Sequence, residues 1–486
     1  MHQYHSSFRS SRDHQVFGTV GIPALCVVIL FASIAFCSGS LWADERQPLQ
    51  PAGQAFDGDL LVTPMMDKET VLLGANKTEQ HVWPSQYFAA GAARLLPDGS
   101  ILRIANSEIA KPFAKTSFHG GRVQRIAWDG TVLWDFWNAA TYHMVCGDVI
   151  QLPNGNILMS VVEYKERADC LNLGCDPRTL SDLGLFSPGL MEFQPNGPKG
   201  GRLVWRWSLW DHLSQSRNST FPNYDAAGTD KTRANVEATL RGMGFSLPEI
   251  SYEAGSNVVI ITVPRLGEIW ALDHSTSIDE AKTSHGGKFG SGGAFLARWR
   301  PSMGTDDKAR LHLVSAEPRT SVAGNLPSLR ILKYSKRDGA GVNTVLTSVA
   351  FRNVTDAAAT VFDAQESAQA SWSYTPDSVL DSPSASTAGP EGFWFMTSGR
   401  QGKIRMVDSA GKARWEYTNQ RGKILLTTHT LRAGEKCCLP ANELNKQTSP
   451  DDVKTEAAPV ASTRYYPAGF LERNAAQAPA VGPQSE

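Results

Sequence analysis

Imidazole and thiol groups are the side chains of this sequence that could carry acid–base or nucleophilic chemistry. Cys146 follows His143 at a spacing of three residues. A thiol becomes a nucleophile when a neighbouring base or cation stabilises its thiolate, and an imidazole can act as acid or base near neutral pH. No spacing fixes a histidine directly beside Cys146. The sequence therefore favours a buried, inert thiol and a histidine in a loop or at a strand edge.

Three further histidines lie in contexts that favour structural roles. His212 in Trp-Asp-His and His274 in Asp-His-Ser-Thr predict hydrogen bonds that fix loops, and His285 lies in a predicted turn.

The remaining cysteines suggest pairing and not metal binding. Cys170 and Cys175 flank a short segment and could close a small loop, whereas Cys437 and Cys438 are adjacent in a polar stretch. No second pair or nearby histidine completes a zinc site, and no Asp-x-Asp loop indicates calcium. We therefore expect no metal and no cofactor.

The near-zero net charge excludes partners that bind through long-range electrostatic attraction to the whole protein. The 47 basic residues nearly cancel the 48 acidic ones, which gives a formal charge of -1. Nucleic acids and anionic membranes attract strongly basic proteins, so neither is expected as a partner.

Two recurring patterns predict the elements that position these groups. Residues 95–102 read LLPDGSIL and residues 151–158 read QLPNGNIL, so each has an Asp-Gly or Asn-Gly turn before a strand. Such dipeptides tolerate the positive φ of tight hairpin turns. A second pattern places tryptophans in alternating strands after a turn, at residues 129–136, 201–207 and 410–417. Period two predicts half-buried strands.

The repeat spacing predicts a single all-β fold. The two Leu-Pro copies stand roughly 56 residues apart, which suits a four-stranded propeller blade with its loops. The body then divides into six or seven blades, and we expect a six-bladed β-propeller that residues 462–470 close with a last strand. Helical patterning at 210–223 and 230–243 predicts excursions from blade loops. The alternative is two β-sandwiches joined by a linker.

The N-terminal segment predicts export. Residues 16–36 are apolar and uncharged after Arg9 and Arg12, the order of a secretory leader. Residues 1–43 are thus a signal peptide or an uncleaved membrane anchor, and the body is periplasmic or extracellular. Residues 44–472 are the propeller, with a mobile loop at 434–461, and residues 473–486 are a disordered tail.

The ordered series of motifs resembles a known family. The match is densest at residues 152–158, 200–213 and 267–276, where LPNGNIL, GGRLVWRWSLWDHL and GEIWALDHST occur in this order. In these motifs the chain is similar to the arylsulfate sulfotransferase-like proteins, six-bladed propellers that work outside the cytoplasm. The resemblance implies sulfuryl transfer from an aryl sulfate to a phenol, through a histidine in the central channel that becomes sulfated.

Most channel positions of that family carry other residue types here. Relatives have His-His-Asp before Pro-Asn-Gly-Asn, where this chain has Cys146, Gly147 and Asp148. Ser246 and Glu317 stand where relatives have further histidine-containing stretches. By resemblance, Cys146, Asp148, Ser246 and Glu317 are thus the candidate substrate-contacting positions.

Two residues remain as candidates for the chemistry itself. Arg265 stands near the family's arginine and could contact an anion, and His143 could reach the same channel. Two hypotheses follow. The chain is either an arylsulfotransferase or a close catalytic variant, which binds aryl sulfates or phenols, or a non-catalytic propeller that binds a ligand or a protein.

Overall fold

The computed structural model describes residues 56, 59–65, 67–107, 111–114, 116, 119–178, 180–227, 230, 232–236, 249–263, 266–300, 310–318, 329–336, 342–356, 359–366, 372–374, 385–388, 393–398, 401–408, 410–419 and 425–430. Side chains are described for these residues except residue 111 and those in 310–388 and 425–430. The predicted leader, mobile loop and tail lie outside them and stay predictions.

Almost all regular structure is extended. The first strands are β1 (Asp59–Pro64), β2 (Glu69–Gly74), β3 (Glu79–Pro84), β4 (Ala89–Leu95), β5 (Ile101–Asn106), β6 (Gly121–Ile126), β7 (Val132–Trp137), β8 (His143–Gln151), β9 (Ile157–Lys165), β10 (Leu185–Asn196), β11 (Gly200–Ser208), β12 (Leu213–Ser214) and β13 (Ala234–Asn235). The later strands are β14 (Glu249–Glu253), β15 (Val258–Val263), β16 (Glu268–Asp273), β17 (Phe295–Trp299), β18 (Arg310–Pro318), β19 (Leu329–Lys336), β20 (Val342–Asp356), β21 (Ala359–Glu366), β22 (Trp372–Tyr374), β23 (Ala385–Ala388), β24 (Trp394–Ser398), β25 (Lys403–Val407), β26 (Ala413–Thr418) and β27 (Leu425–Thr430). Two short α-helices, α1 (Lys111–Ala114) and α2 (Arg167–Asn172), and two 3-10 turns, Leu209–His212 and Glu280–Lys282, complete the described elements.

The strands form consecutive antiparallel sheets. Within the described residues, five sheets have four strands, in the orders β27-β1-β2-β3, β4-β5-β6-β7, β8-β9-β10-β11, β14-β15-β16-β17 and β23-β24-β25-β26. The sheet β18-β19-β20-β21 has β22 paired with β20 as a fifth strand, and β12 pairs with β13 as a parallel ribbon.

The innermost strands contact one another in a cycle. β27 contacts β4, β4 contacts β8, β8 contacts β14, β14 contacts β18, β18 contacts β23, and β23 contacts β27. Sheets that are repeated radially around a centre in this way form a β-propeller, whose inner strands surround a central channel. The all-β propeller predicted from the sequence is confirmed.

The strand that closes the ring is β27. It pairs antiparallel with β1, so that a C-terminal strand completes the N-terminal sheet. The prediction that residues 462–470 would do this is wrong, and those residues lie outside the described part of the chain. The sequence signal at 462–470 was aromatic character alone, whereas Leu425–Thr430 supplies an extended edge in register with β1.

The predicted hairpin corners are present. Gly99 and Gly155 have φ of 83° and 85°, and they close the turns between β4 and β5 and between β8 and β9. In the first turn the Leu96 N–H donates to the Ser100 carbonyl at 2.8 Å, and Leu152 donates to Asn156 in the second at the same distance.

Tryptophans of the outermost strands tie neighbouring sheets together. In each case an indole N–H donates to an atom of the next sheet or its connections. The bonds are Trp134 to the Gly200 carbonyl at 2.8 Å, Trp205 to Thr276 Oγ1 at 2.9 Å, Trp207 to the Gly293 carbonyl at 2.7 Å, and Trp415 to the Ala75 carbonyl at 2.8 Å. Trp415 links the last sheet to the first, so this bond also helps to close the ring.

The excursion after β11 contains less helix than its pattern predicts. Within residues 209–223, helical structure covers only the 3-10 turn Leu209–His212, and the chain then extends into β12, which pairs with β13. In the second predicted excursion, residues 230–243, Val236 is helical, and residues 231 and 237–243 lie outside the described residues.

Candidate functional site

The segment Cys146-Gly147-Asp148 forms a bulge in the inner strand β8. Val145 pairs with Val161 and Val149 with Met159, so three bulge residues lie opposite the single residue Ser160. The Ser160 hydroxyl fills the gap, because it donates to the Cys146 carbonyl at 2.6 Å and accepts from the Asp148 N–H at 2.8 Å. The positive φ of Gly147, 95°, allows the backbone to turn out of the ladder and back.

Asp148 ties three sheets together at the channel. Its Oδ2 accepts from Arg94 Nη2 on β4 at 2.6 Å and from the Ile250 N–H on β14 at 2.9 Å. Its Oδ1 accepts from the Val149 N–H at 2.8 Å. The Asp148 side chain is only 3% exposed. A buried carboxylate needs an opposite charge and several donors, and Asp148 has both, so it acts here as a structural tie.

The Arg94 side chain, which is 29% exposed, brings a positive charge to the inner strands. Burial lowers the pKa of Arg94, but the carboxylates of Asp148 and Glu249 outweigh burial and raise that pKa above its ordinary value. Arg94 is thus a permanent cation between two acidic side chains. This local balance of one positive and two negative groups does not favour an anion such as a sulfate ester.

Cys146 is buried among apolar side chains. It is 5% exposed and packs with Phe113, Ala139, Met144 and Val162. Burial raises the pKa of its thiol to about 12, against a smaller opposing effect of a hydrogen bond with the His119 backbone. Almost no thiolate therefore exists near neutral pH, and Cys146 in this state is a poor nucleophile.

His143 begins β8 and is half-buried. Its cross-strand partner in the register is Glu163, a 1% exposed carboxylate that binds Arg206 at 2.8 Å and the Ser208 hydroxyl. Burial raises the pKa of Glu163, but Arg206, Lys165 and Ser208 lower it below its ordinary value overall. His143 thus lies beside a carboxylate held in its charged form, five residues before Asp148.

The other predicted site residues are placed only in part. Arg265 and Ser246 lie outside the described residues. Glu317 lies on the inner strand β18, opposite Arg330 of β19 in the register, and its side chain is outside the described set. Among the predicted residues, the described structure therefore brings together only Cys146 and Asp148, which share one bulge.

His212 and His274 make hydrogen bonds to loops and strands. His212 is 2% exposed, stacks on Trp207 and bonds the Ala281 carbonyl through Nε2 at 2.9 Å. Burial lowers its pKa to about 4. His274 uses both ring nitrogens, with Nε2 2.8 Å from Glu192 Oε2 and Nδ1 2.9 Å from Asn257 Oδ1. Both imidazoles are occupied by structural contacts.

A metal centre and a spanning helix are both absent from the part of the chain that the structure describes. No group of three His, Cys, Asp or Glu side chains is arranged there to hold a metal ion. Of the described helices, none has the length and apolar character needed to cross a membrane.

No protein-family model matches the chain, and no curated protein is similar to it in sequence. Solved structures with related architecture include a streptogramin B lyase, which is 11% identical with a TM-score of 0.32 over 75% of this chain and 84% of that one. AztD from Citrobacter koseri is 12% identical, with a TM-score of 0.31 over 76% of this chain and 97% of its own. The Nup133 β-propeller domain of Vanderwaltozyma polyspora is 9% identical, with a TM-score of 0.31 over 77% and 98%. The propeller assignment rests on the ring of inner strands, not on these similarities.

Sequence reasoning missed the partners of Asp148. Arg94 occupies the position in the Leu-Pro repeat that Ile150 occupies in the second copy. The available signal was this difference: an inner strand has a charged residue where the other copy of the repeat has an apolar one, so the charge needs a partner. The amide of Ile250 gave no such signal, because a backbone donor carries no sequence information.

Proposed function

We propose that this chain is an exported, six-bladed propeller of arylsulfotransferase-like ancestry that binds a phenolic small molecule in its channel without transferring a sulfuryl group. The observation that carries the non-catalytic part of the proposal is the engagement of Asp148 by Arg94 and two backbone amides, and the phenolic ligand rests on the family resemblance. At the position of the family's His-His-Asp, Cys146 and Gly147 replace the two imidazoles, and the aspartate that remains, Asp148, is a structural tie.

The count of six blades is supported by the cycle of inner-strand contacts. Six innermost strands, β27, β4, β8, β14, β18 and β23, each contact two others in that cycle. On this count the five-stranded sheet that begins with β18 is the fifth blade, with β22 added to its third strand.

The chemistry of sulfuryl transfer supports a non-catalytic assignment. Transfer through a covalent intermediate needs a nucleophile that is also a good leaving group, an acid or base, and a cation that stabilises the transferred oxygens. The Cys146 thiol is protonated by burial, and Arg94, the cation that contacts the same bulge, is already paired with Asp148. His143 and Arg265 are the two residues that a catalytic variant would have to use.

Export is part of the proposal. The apolar stretch at residues 16–36 supports a signal peptide or an N-terminal anchor within residues 1–43. We propose a periplasmic or extracellular location, with the membrane contacted only through that segment.

The test is an incubation of the full-length protein with 4-nitrophenyl sulfate and excess phenol. We expect no 4-nitrophenol release above a protein-free blank. We also expect 4-nitrophenol itself to bind saturably in isothermal titration calorimetry. Turnover that His143→Ala abolishes would replace the proposal with the catalytic variant. Absence of any saturable heat of binding would remove the phenolic ligand from it.

A further inference from the structure

Helix α2 ends in a backbone motif that brings two cysteines together. The Gly174 N–H donates to the Leu171 carbonyl at 3.0 Å, and the Cys175 N–H donates to the Cys170 carbonyl at 3.0 Å. Gly174 has a φ of 95°. This pair of bonds around a left-handed glycine is the Schellman motif, in which the side chains at the Cys170 and Cys175 positions usually contact each other. In this chain both contact positions are cysteines. The Cys170 thiol donates to the Lys165 carbonyl at 3.7 Å, and its interaction with the neighbouring Cys175 thiol raises its pKa.

We propose that Cys170 and Cys175 form an intramolecular disulfide when the chain folds in an oxidising compartment. The proposal rests on the export proposed above for its natural setting, and on the helix end for its geometry. A disulfide requires two cysteines whose side chains converge at short range. The Schellman turn supplies that convergence through bonds within residues 170–175, so it does not depend on the assembly of the sheets.

Burial decides when the bond can form. In the fold Cys170 is fully buried and Cys175 is 8% exposed, in a cluster that includes Leu180 and Leu213. The interaction with Cys175 and burial both raise the pKa of Cys170. Thiol–disulfide exchange proceeds through the thiolate and needs access to the sulfur. Oxidation should therefore precede completion of the packing, and the folded dithiol should react slowly.

The reaction is a pair of thiol–disulfide exchanges. The thiolate of Cys175 or Cys170 attacks one sulfur of a disulfide donor, either oxidised glutathione or the disulfide of an oxidoreductase, and releases one thiolate. The second protein thiolate then attacks the mixed disulfide and releases the other. Two protein thiols become one disulfide, the donor gains the electron pair, and the two protons go to the released thiolates.

The Cys170–Cys175 disulfide would stabilise the turn against which the excursion after β11 packs. Asn223 Nδ2 donates to the Leu173 carbonyl at 2.9 Å, and Arg217 pairs with Asp176 at 3.3 Å. A Cβ added at Gly174 would lie 2.7 Å from Gln215 Cγ, so the excursion packs closely on the turn. A disulfide across this turn would hold these contacts in one geometry.

The test is refolding of the full-length protein in an oxidising glutathione buffer, followed by denaturation in iodoacetamide, digestion with trypsin and mass spectrometry. Cleavage after Arg167 and Arg178 releases both cysteines in one peptide, residues 168–178. We expect this peptide to be unalkylated and lighter than the dithiol by two hydrogen atoms. In the same sample Cys146 should be alkylated, since its thiol packs in a different cluster.

Variants separate the pairing from general oxidation. With Cys170→Ser the peptide should carry one alkylated cysteine, while Cys146→Ser should leave the linked peptide unchanged. Alkylation of both cysteines in the refolded wild type, to the same extent as Cys146, would overturn the proposal, and so would a link from either cysteine to Cys146. Because refolding in glutathione does not depend on location, a linked peptide in vitro beside a reduced one from cells would count against export and not against the pairing.

Discussion

The bulges of β4 and β8 have the same register offset, three residues opposite one, and different chemistry. In β4, Ala90, Gly91 and Ala92 lie between the pairs Ala89–Ala105 and Ala93–Arg103, as the residues of the β8 bulge lie between their own pairs. The β4 bulge carries only small apolar side chains, whereas the β8 bulge carries a thiol and a carboxylate. The three-against-one offset therefore occurs without polar side chains in the bulge, although Gly147 has a positive φ and Gly91 does not. What the β8 copy adds is the contact of Asp148 with the two neighbouring sheets.

The largest expected effect is from Asp148→Ala, which turns the β8 bulge into the apolar type of β4. The Ile250 and Val149 amides lose their acceptor and Arg94 loses its partner, so we expect the free energy of unfolding to fall by about 3–5 kcal/mol. Urea unfolding followed by tryptophan fluorescence measures it.

Two variants calibrate that result. Asp182→Ala removes a fully exposed aspartate that is 3.7 Å from Arg167, and should change the free energy of unfolding by less than about 0.5 kcal/mol. Arg94→Ala should cost less in the Asp148→Ala background than in the wild type. A loss for Asp148→Ala as small as that for Asp182→Ala would contradict the structural tie.

The second effect concerns acid and the buried imidazole of His212, which lies outside both bulges. Burial holds the pKa of His212 at about 4 in the fold, below the 6.5 of the unfolded chain, a difference of about 3 kcal/mol. The unfolded state then binds more protons between these values. This stability is complete above about pH 6.5 and is lost as the pH falls towards 4.

The measurement is the free energy of unfolding of the wild type and His212→Gln between pH 7 and 4. We expect the wild type to lose about 3 kcal/mol more than the variant over this range. Parallel pH profiles would show that His212 does not titrate as its burial requires.

A smaller effect is expected where the two bulges touch. A Cβ at Gly91 would lie 2.6 Å from the Gly147 carbonyl oxygen and 3.0 Å from Ile104 Cβ. Gly91→Ala should therefore push the bulges apart and lower the free energy of unfolding by about 1–3 kcal/mol. Gly155→Asn is the control, because Gly155 has open space around it and asparagine tolerates a positive φ. Equal losses for the two variants would show that the bulges are not in close contact.

The smallest expected effect concerns the tryptophan hydrogen bonds of the outermost strands. Trp415→Phe removes the indole N–H that donates to the Ala75 carbonyl. Trp83→Phe removes the same atoms from a buried indole whose Nε1 has no hydrogen-bond partner among the described residues. The two variants differ mainly by one hydrogen bond, so Trp415→Phe should be less stable by about 1 kcal/mol. Thermal unfolding of both resolves it, and a lower midpoint for Trp83→Phe would contradict the tie.

The sequence predicted the parts of the fold that depend on local chemistry. The Asp-Gly and Asn-Gly turns and the tryptophan strands are correct, because a positive φ and a period of two are both properties of short segments. It did not predict β27 as the closing strand, since register with β1 depends on residues far apart in the chain. At the candidate site it found Cys146 and Asp148 but not Arg94 or the Ile250 amide, because these meet Asp148 only after three sheets are assembled. It also missed Ser160, because the bulge that places Ser160 opposite Asp148 has no sequence signature.

The most direct test of the central claim is the intact mass of the full-length protein after incubation with 4-nitrophenyl sulfate and no acceptor. The β8 bulge is a structural tie, and we propose that no residue of the channel accepts a sulfuryl group. We therefore expect an unchanged mass. A gain equal to one sulfuryl group, lost in His143→Ala or Cys146→Ala, would contradict it and identify the chain as a working sulfotransferase.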